Sequence, residues 1–323
     1  MADFEVLLPS RLPDLVIEGL SRVLTIHKLW EAADPRAMID KVGDRVQGLA
    51  TSYASGRIDG AMMSRFPNLK IVAHYGVGYD IIDAAWAGAH GIIVTNTPDV
   101  LSDEVADLAM GLLLATVREI PQADTFLRAG HWHQGNFPLT ATLRERRMGI
   151  FGLGRIGKAI AKRAAAFDLD LAYCARKKHE DAPYAYYPNV LDLAQACDIL
   201  MVIAPATQET HHAVNTQVLQ ALGTNGILIN VARGSLVDTD ALIEALEAKT
   251  ILAAGLDVFE DEPNVPQALI DCPQCVLLPH VGSASQYTRD AMSRLQVDNM
   301  VSFAQGRGPV TPVAETPWPP NAA

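Results

Sequence analysis

The chain has 323 residues, 49% of them hydrophobic and 20% charged, with a formal net charge of −11; that is enough for two domains with large buried cores. An acidic surface gains nothing from counterion release and repels a phosphate backbone, so nucleic acid is excluded as a partner. The longest apolar runs, Leu108 to Val117 and Ile199 to Ala206, fall well short of the roughly 20 residues that span a bilayer, and acids stand near Met1 where a signal peptide carries cations, so no membrane association and a cytoplasmic location are expected.

In chain order, Phe4 to Leu8 predicts a short buried strand, and Asp14 to Leu20 a helix after the breaks at Pro9 and Pro13. Val46 to Ala50, Leu69 to His74 and Ile92 to Thr95 are further apolar runs of strand length, separated by helix-like or turn-rich segments. Such alternation predicts a parallel sheet, and the loss of pattern at Asn96-Thr97-Pro98-Asp99 ends a first domain segment, residues 1–98. Ser102-Asp103-Glu104 then opens a long helix to Arg118: a capping serine, two acids in the first turn, and Val105, Leu108, Ala109, Leu112 and Leu113 on a helical period. Its length suits a crossing between domains. With the aromatic stretch through Trp132 it offers apolar surface to a second copy of the chain, so a homodimer is expected.

Arg147 to Phe151 is a short apolar strand that runs directly into Gly152-Leu153-Gly154-Arg155-Ile156-Gly157. Ala159 to Phe167 predicts a helix and Asp170 to Cys174 a second strand, so the glycines occupy the first turn of a β-α-β unit, where G-x-G-x-x-G is a dinucleotide fingerprint. Gly152 makes the tight turn, Gly154 lets a pyrophosphate approach the backbone and Gly157 lets the helix pack closely, with N–H groups and the helix dipole facing the anion. Folds that take NAD carry an acid about 20 positions after the last glycine, which bonds the ribose hydroxyls. Here that turn reads Ala175-Arg176-Lys177-Lys178. A missing acid and an arriving arginine predict NADPH as cofactor, with NADH as a second possibility.

Cys197 to Ala204, Gly226 to Val231, Leu252 to Asp257 and Val276 to Leu278 are strand-like, with helices at Asn215 to Leu222 and Thr239 to Lys249 between them, so the sheet is doubly wound. This second domain spans residues 99–285. Gln286 to Ala304 predicts a closing helix, and residues 286–323 return to the first domain; their proline-rich tail after Gly308 is expected to cross back over it or to be partly disordered. Cys272-Pro273-Gln274-Cys275 has metal-like spacing but no second pair to complete four ligands, so the four cysteines are expected to be thiols in a reducing compartment. His131 and His133, or His211 and His212, have no carboxylate neighbours in a ligand pattern, so no metal is expected.

Four ordered motifs carry a resemblance: Gly152-Leu-Gly-Arg-Ile-Gly157, Asn230-Val231-Ala232-Arg233-Gly234, Gly255-Leu256-Asp257-Val258-Phe259-Glu260-Asp261-Glu262-Pro263 and Leu278-Pro279-His280-Val281-Gly282. Over nearly its whole length the chain resembles the D-isomer-specific 2-hydroxyacid dehydrogenases. Within that family Tyr75-Gly-Val-Gly-Tyr-Asp80 and Asn96 to Asp107 look most like glyoxylate/hydroxypyruvate, hydroxyphenylpyruvate and 2-ketogluconate reductases. The resemblance implies an α/β fold of two doubly wound, Rossmann-like domains with a cleft between them, a small 2-keto acid substrate and a two-fold dimer. It makes Arg233 the clamp on substrate carboxylate and carbonyl, His280 the proton donor and Glu262 its partner. It makes the backbone of Val77 and Gly78 the receiver of the substrate carboxylate, and places Val231, Ala232, Arg233 and Asp257 beside the cofactor, Asp257 near the nicotinamide carboxamide. These roles make chemical sense: reducing a 2-keto acid needs a cation for the carboxylate, an acid for the ketone oxygen, and a group that keeps that acid protonated. An alternative reading of Asp257 is a buried capping aspartate serving local backbone bonds. Two other readings of the chain are a dinucleotide-sensing corepressor and an NAD-dependent D-3-phosphoglycerate dehydrogenase.

Overall fold

The computed structural model describes residues 4–319. The chain divides into two compact units, Met1–Leu101 with Ser285–Ala323, and Ser102–Ala284.

In the first unit β1 (Glu5–Leu8), β2 (Thr25–Lys28), β3 (Val46–Ser52), β4 (Ile71–Tyr75) and β5 (Ile93–Thr95) form a parallel sheet in the order β2-β1-β3-β4-β5. Helices cover both faces, which is why the central strands read as unbroken apolar runs rather than alternating ones. Leu7, Leu49, Val72 and Val94 pack on one face with Ile39, Ile58, Met63 and Ile82. On the other lies the helix Gln286–Ala304. Its wholly buried Gln296 donates through Nε2 to the carbonyls of Thr51 (3.0 Å) and Ala73 (2.9 Å), fastening the C-terminal helix to β3 and β4. The proline-rich tail is ordered over its described length: the Val313 N–H donates to Val94 O (2.9 Å), the Val94 N–H donates to Thr316 Oγ1 (2.9 Å), and Thr95 bridges Pro312 antiparallel. It thereby covers the otherwise open edge of β5. Residues 320–323 lie outside the described residues.

In the second unit β6 (Arg147–Phe151), β7 (Asp170–Cys174), β8 (Ala185–Tyr187), β9 (Ile199–Val202), β10 (Ile227–Asn230), β11 (Ala253–Leu256) and β12 (Cys275–Leu277) form a parallel sheet in the order β12-β11-β10-β9-β6-β7-β8. The direction of winding reverses between β6 and β9, and a doubly wound sheet binds ligands outside the carboxyl ends of its strands at such a switch point. Two strands escape the sequence pattern. β2 and β8 are edge strands, exposed or half-buried, reading Thr-Ile-His-Lys and Ala-Tyr-Tyr, so neither carries a continuous apolar run.

The helix Ser102–Val117 belongs to the second unit and buries its apolar stripe there, correcting the expectation that it offers surface to another copy. Leu112 and Leu113 are at most 2% exposed, each burial contributing about 1.5–3 kcal/mol. The fit is close: a Cβ on Gly255 of β11 would stand 2.5 Å from Thr116 Oγ1 and 2.9 Å from Leu112. The exposed apolar surface lies further on, at Ile120, Leu127, Trp132 and Leu139.

All four cysteines are free. Burial raises the Cys174 thiol to about 11 and the Cys197 thiol to about 12, and burial together with the neighbouring Cys272 pushes Cys275 higher still. Thiolate is the reactive form, so a maleimide at neutral pH is expected to label Cys272 alone in the native protein and all four after unfolding. Peptide mass spectrometry reads this directly, and native labelling at Cys174 or Cys197 would contradict the burial argument.

Candidate active site

The carboxyl ends of β6 and β7 lie side by side and carry the fingerprint and the basic turn. Gly152 adopts φ +108°, and a Cβ there would stand 2.6 Å from the Ala204 backbone; one on Gly157 would stand 2.1 Å from Gly152 O. Both positions therefore exclude any side chain. Gly154 has nothing within 4 Å of such a Cβ and is exposed. It caps the helix Arg155–Ala165, which starts four residues before the predicted Ala159. Leu153 is buried beneath the loop, Ile156 is half-buried and Arg155 is exposed. An anion approaching Gly154 thus meets bare backbone at a helix N-terminus, and these residues fit a dinucleotide pyrophosphate.

At the end of β7, Ala175 is half-buried and Arg176, Lys177 and Lys178 are exposed. Two tyrosines hold this turn. The buried Tyr173 phenol accepts from the His179 N–H (2.8 Å) and donates to the His179 carbonyl (3.3 Å), while the Tyr186 hydroxyl donates to Ala175 O (3.4 Å). Asp181, past the exposed Glu180, pairs with Lys158 at 2.7 Å, which lowers its pKa.

Arg233, Glu262 and His280 follow the adjacent strands β10, β11 and β12, so three chain-distant motifs meet at one end of the sheet. Glu262 accepts from the Phe259 N–H at Oε1 (3.0 Å) and lies 2.7 Å from His280 Nδ1 at Oε2. Burial opposes its ionisation, but the His280 hydrogen bond, the Phe259 N–H and the charges of His280 and Arg233 outweigh it and hold the carboxyl below its ordinary range. Gly234 explains how Arg233 stays close: a Cβ there would overlap the Phe259 carbonyl carbon at 1.9 Å, so the turn after β10 lies directly on the segment leading to Glu262. Asn230, not singled out from the sequence, shapes that turn. It is 1% exposed, accepts from the Ala232 N–H (3.0 Å) and donates to Arg233 O (2.9 Å); an asparagine closing an apolar strand before a turn is the signal that could have marked it. Val231 and Ala232 are buried in the same turn, and Arg233 is half-buried with Nη1 donating to Ala232 O (2.8 Å).

His280 has φ +54°, a left-handed conformation costing a β-carbon residue on the order of 1 kcal/mol. Asp257 holds it there: its carbonyl accepts the His280 N–H (2.9 Å), and its carboxylate oxygens accept the N–H groups of Val281 and Gly282 (both 2.8 Å). Asp257 is 1% exposed; burial raises its pKa and the two N–H groups oppose that. Asp257 thus fastens the His280 loop through backbone bonds that span 24 and 25 residues. Val77 and Gly78 belong to the first unit, in the turn after β4. There Asn96 Nδ2 donates to Val77 O (2.8 Å), and Gly76 exchanges hydrogen bonds with Thr97 (3.1 and 2.8 Å).

One expectation fails on its stated ground. His211 and His212 do have a carboxylate neighbour, because the fold brings Glu260 to 2.6 Å from His212 Nε2. Forty-eight residues separate the two in sequence, so no local pattern could reveal the contact.

Residues 110–282 match the family model described as D-isomer specific 2-hydroxyacid dehydrogenase, NAD binding domain. Glyoxylate/hydroxypyruvate reductase A of Arabidopsis thaliana is 42% identical over 313 residues, 97% of this chain and 100% of its own. The glyoxylate reductase of Pyrococcus horikoshii is 40% identical over 318 residues, 95% of each chain. Among solved structures, the NADPH-dependent glyoxylate/hydroxypyruvate reductase of Sinorhizobium meliloti, in complex with NADP and malonate, superposes with a TM-score of 0.93 at 48% identity, covering all of both chains. The chain belongs to the D-isomer-specific 2-hydroxyacid dehydrogenases.

Proposed function

We propose that the protein reduces glyoxylate, hydroxypyruvate or a related small 2-keto acid to the D-2-hydroxy acid, with NADPH as the preferred cofactor and NADH as the lesser one. The observation that carries this reading is the paired imidazole and carboxylate at 2.7 Å beside a half-buried arginine, at the carboxyl ends of adjacent strands. The relatives' activities support it. When bound, the reduced nicotinamide supplies the hydride. Gly152 to Gly157 hold the pyrophosphate, Arg176 and Lys177 in the turn after Ala175 take the 2′-phosphate, and Val231, Ala232 and Asp257 shape the surroundings of the nicotinamide, Asp257 by holding the His280 loop.

Arg233 binds the substrate carboxylate and polarises the ketone through its planar fork. In the first unit, the turn of Val77 and Gly78 offers backbone N–H groups of the kind that receive a carboxylate. With His280 Nδ1 engaged by Glu262, Nε2 delivers the proton to the developing alkoxide, and the glutamate charge stabilises the imidazolium until that transfer. Steady loss of reduced-cofactor absorbance with glyoxylate or hydroxypyruvate is the expected result. No turnover of any keto acid in a panel with either cofactor would overturn the reading.

We further infer a homodimer in a reducing compartment, the cytoplasm. Trp132 is 65% exposed and Leu139 fully exposed, with Ile120 and Leu127 also half open to solvent, and this exposed apolar stretch of chain is the surface offered for association. Sedimentation is expected to give twice the chain mass at micromolar concentration, and Trp132→Asp to shift it towards monomer. A monomeric wild type would contradict this.

A further inference from the structure

His211, His212 and Glu260 each offer one ligand atom, all within 4.8 Å of one another, outside the substrate and cofactor residues assigned above. His212 has a carboxylate on each side of its ring, one of them within hydrogen-bond distance. Nε2 lies 2.6 Å from Glu260 Oε1, and Nδ1 faces Asp238 Oδ2 at 4.0 Å. The carboxylate is oriented too, since Thr239 Oγ1 donates to Glu260 Oε2 at 3.1 Å. The backbone beneath is built for the position: His212 holds φ +50° while its N–H donates to Ser235 O (2.8 Å), and the neighbouring Val214 and Val237 bridge in parallel. The His211 ring lies 4.0 Å from that of His212, on an exposed residue that can swing.

We propose that these three residues form a binding site for a divalent transition metal, zinc being the cation that best suits two imidazoles and a carboxylate, with water as fourth ligand. Bonds of about 2.0–2.2 Å place tetrahedral donors about 3.4 Å apart, so the His212–Glu260 hydrogen bond would open from 2.6 Å to admit the ion while His211 swings in. An ordinary surface ion pair has no need of the outer layer seen here. A carboxylate facing the far nitrogen of a ligating imidazole, and a hydroxyl on the far oxygen of a ligating carboxylate, are the partners that orient metal ligands. The ion would clasp two loops, those following β9 and β11, and Glu260 is two residues from Glu262. Its role is to lock the loop that carries the proton donor's partner; the hydride transfer itself does not require it.

The test uses the full-length protein freed of metal by chelation and then titrated calorimetrically with zinc chloride, with magnesium as the control. One zinc per chain is expected, no magnesium binding, and a rise in Tm with zinc that chelation reverses. His211→Ala and Glu260→Gln, both at exposed side chains, are each expected to weaken zinc binding at least 10-fold, and Thr239→Val, which removes only the outer hydroxyl, to weaken it by about 10-fold. His131→Ala/His133→Ala and Cys272→Ser report on the other candidate donors and are expected to leave affinity unchanged. Absence of stoichiometric zinc binding, or binding that survives both His211→Ala and Glu260→Gln, would overturn the proposal.

Discussion

Replacing His280 by glutamine is expected to lower kcat for glyoxylate by about 10²- to 10⁴-fold, the usual worth of a positioned general acid, while NADPH binding, read by fluorescence titration, stays within a few-fold of wild type. The reasoning is spatial. The contacts that hold residues 280–282 run from backbone N–H groups to Asp257 and persist whatever side chain stands at 280. The pyrophosphate loop depends on Gly152, Gly154 and Gly157, which follow β6 rather than β12. Glutamine keeps a hydrogen-bonding group near Glu262 but has no proton to give at neutral pH. Glu262→Gln is expected to lose less, because it keeps an acceptor for the ring and removes only the charge that stabilises the imidazolium. Near-normal turnover by a folded His280→Gln protein would remove His280 from the acid role.

That site was legible in the sequence because its residues lie in short motifs placed directly after apolar strands, and a parallel sheet delivers the carboxyl ends of its strands to one side. Local signals also place the glycines: a strand running into G-x-G-x-x-G leaves few alternatives for the turn. What could not be read depends on partners distant in the chain. Glu260 meets His212 across 48 residues, and no spacing rule relates positions 212 and 260. The helix Ser102–Val117 shows the converse limit, since an apolar stripe reveals that it is covered without revealing by what. Here β11 and the neighbouring helix Arg155–Ala165 cover it, and the apolar surface left for a partner begins only at Ile120. β2 and β8 escape notice for a simpler reason: an edge strand buries too little to need an apolar run. The reach of Asp257 is hidden in the same way as that of Glu260: its two oxygens accept from Val281 and Gly282, contacts that span 24 and 25 residues.

Arg176→Ala is expected to raise KM for NADPH by about 10- to 100-fold, the worth of a hydrogen bond to a charged group, while KM for NADH and kcat with either cofactor change little. The turn after β7 carries Arg176, Lys177 and Lys178 where an NAD-binding fold would carry an acid, and Asp181 is paired with Lys158. A guanidinium can grip a phosphate through two parallel N–H groups; an exposed lysine adds charge without that geometry. The grip also requires the turn to be held in place, which Tyr173 and Tyr186 do from beneath. Tyr173→Phe keeps the buried ring but removes the hydroxyl that bonds both backbone groups of His179, so it is expected to raise KM for NADPH less than Arg176→Ala does, again sparing NADH. A merely structural tyrosine would affect both cofactors alike or show only as a lower Tm. Equal wild-type kcat/KM for NADPH and NADH, or an Arg176→Ala protein weakened equally towards both, would remove the basic turn from cofactor choice.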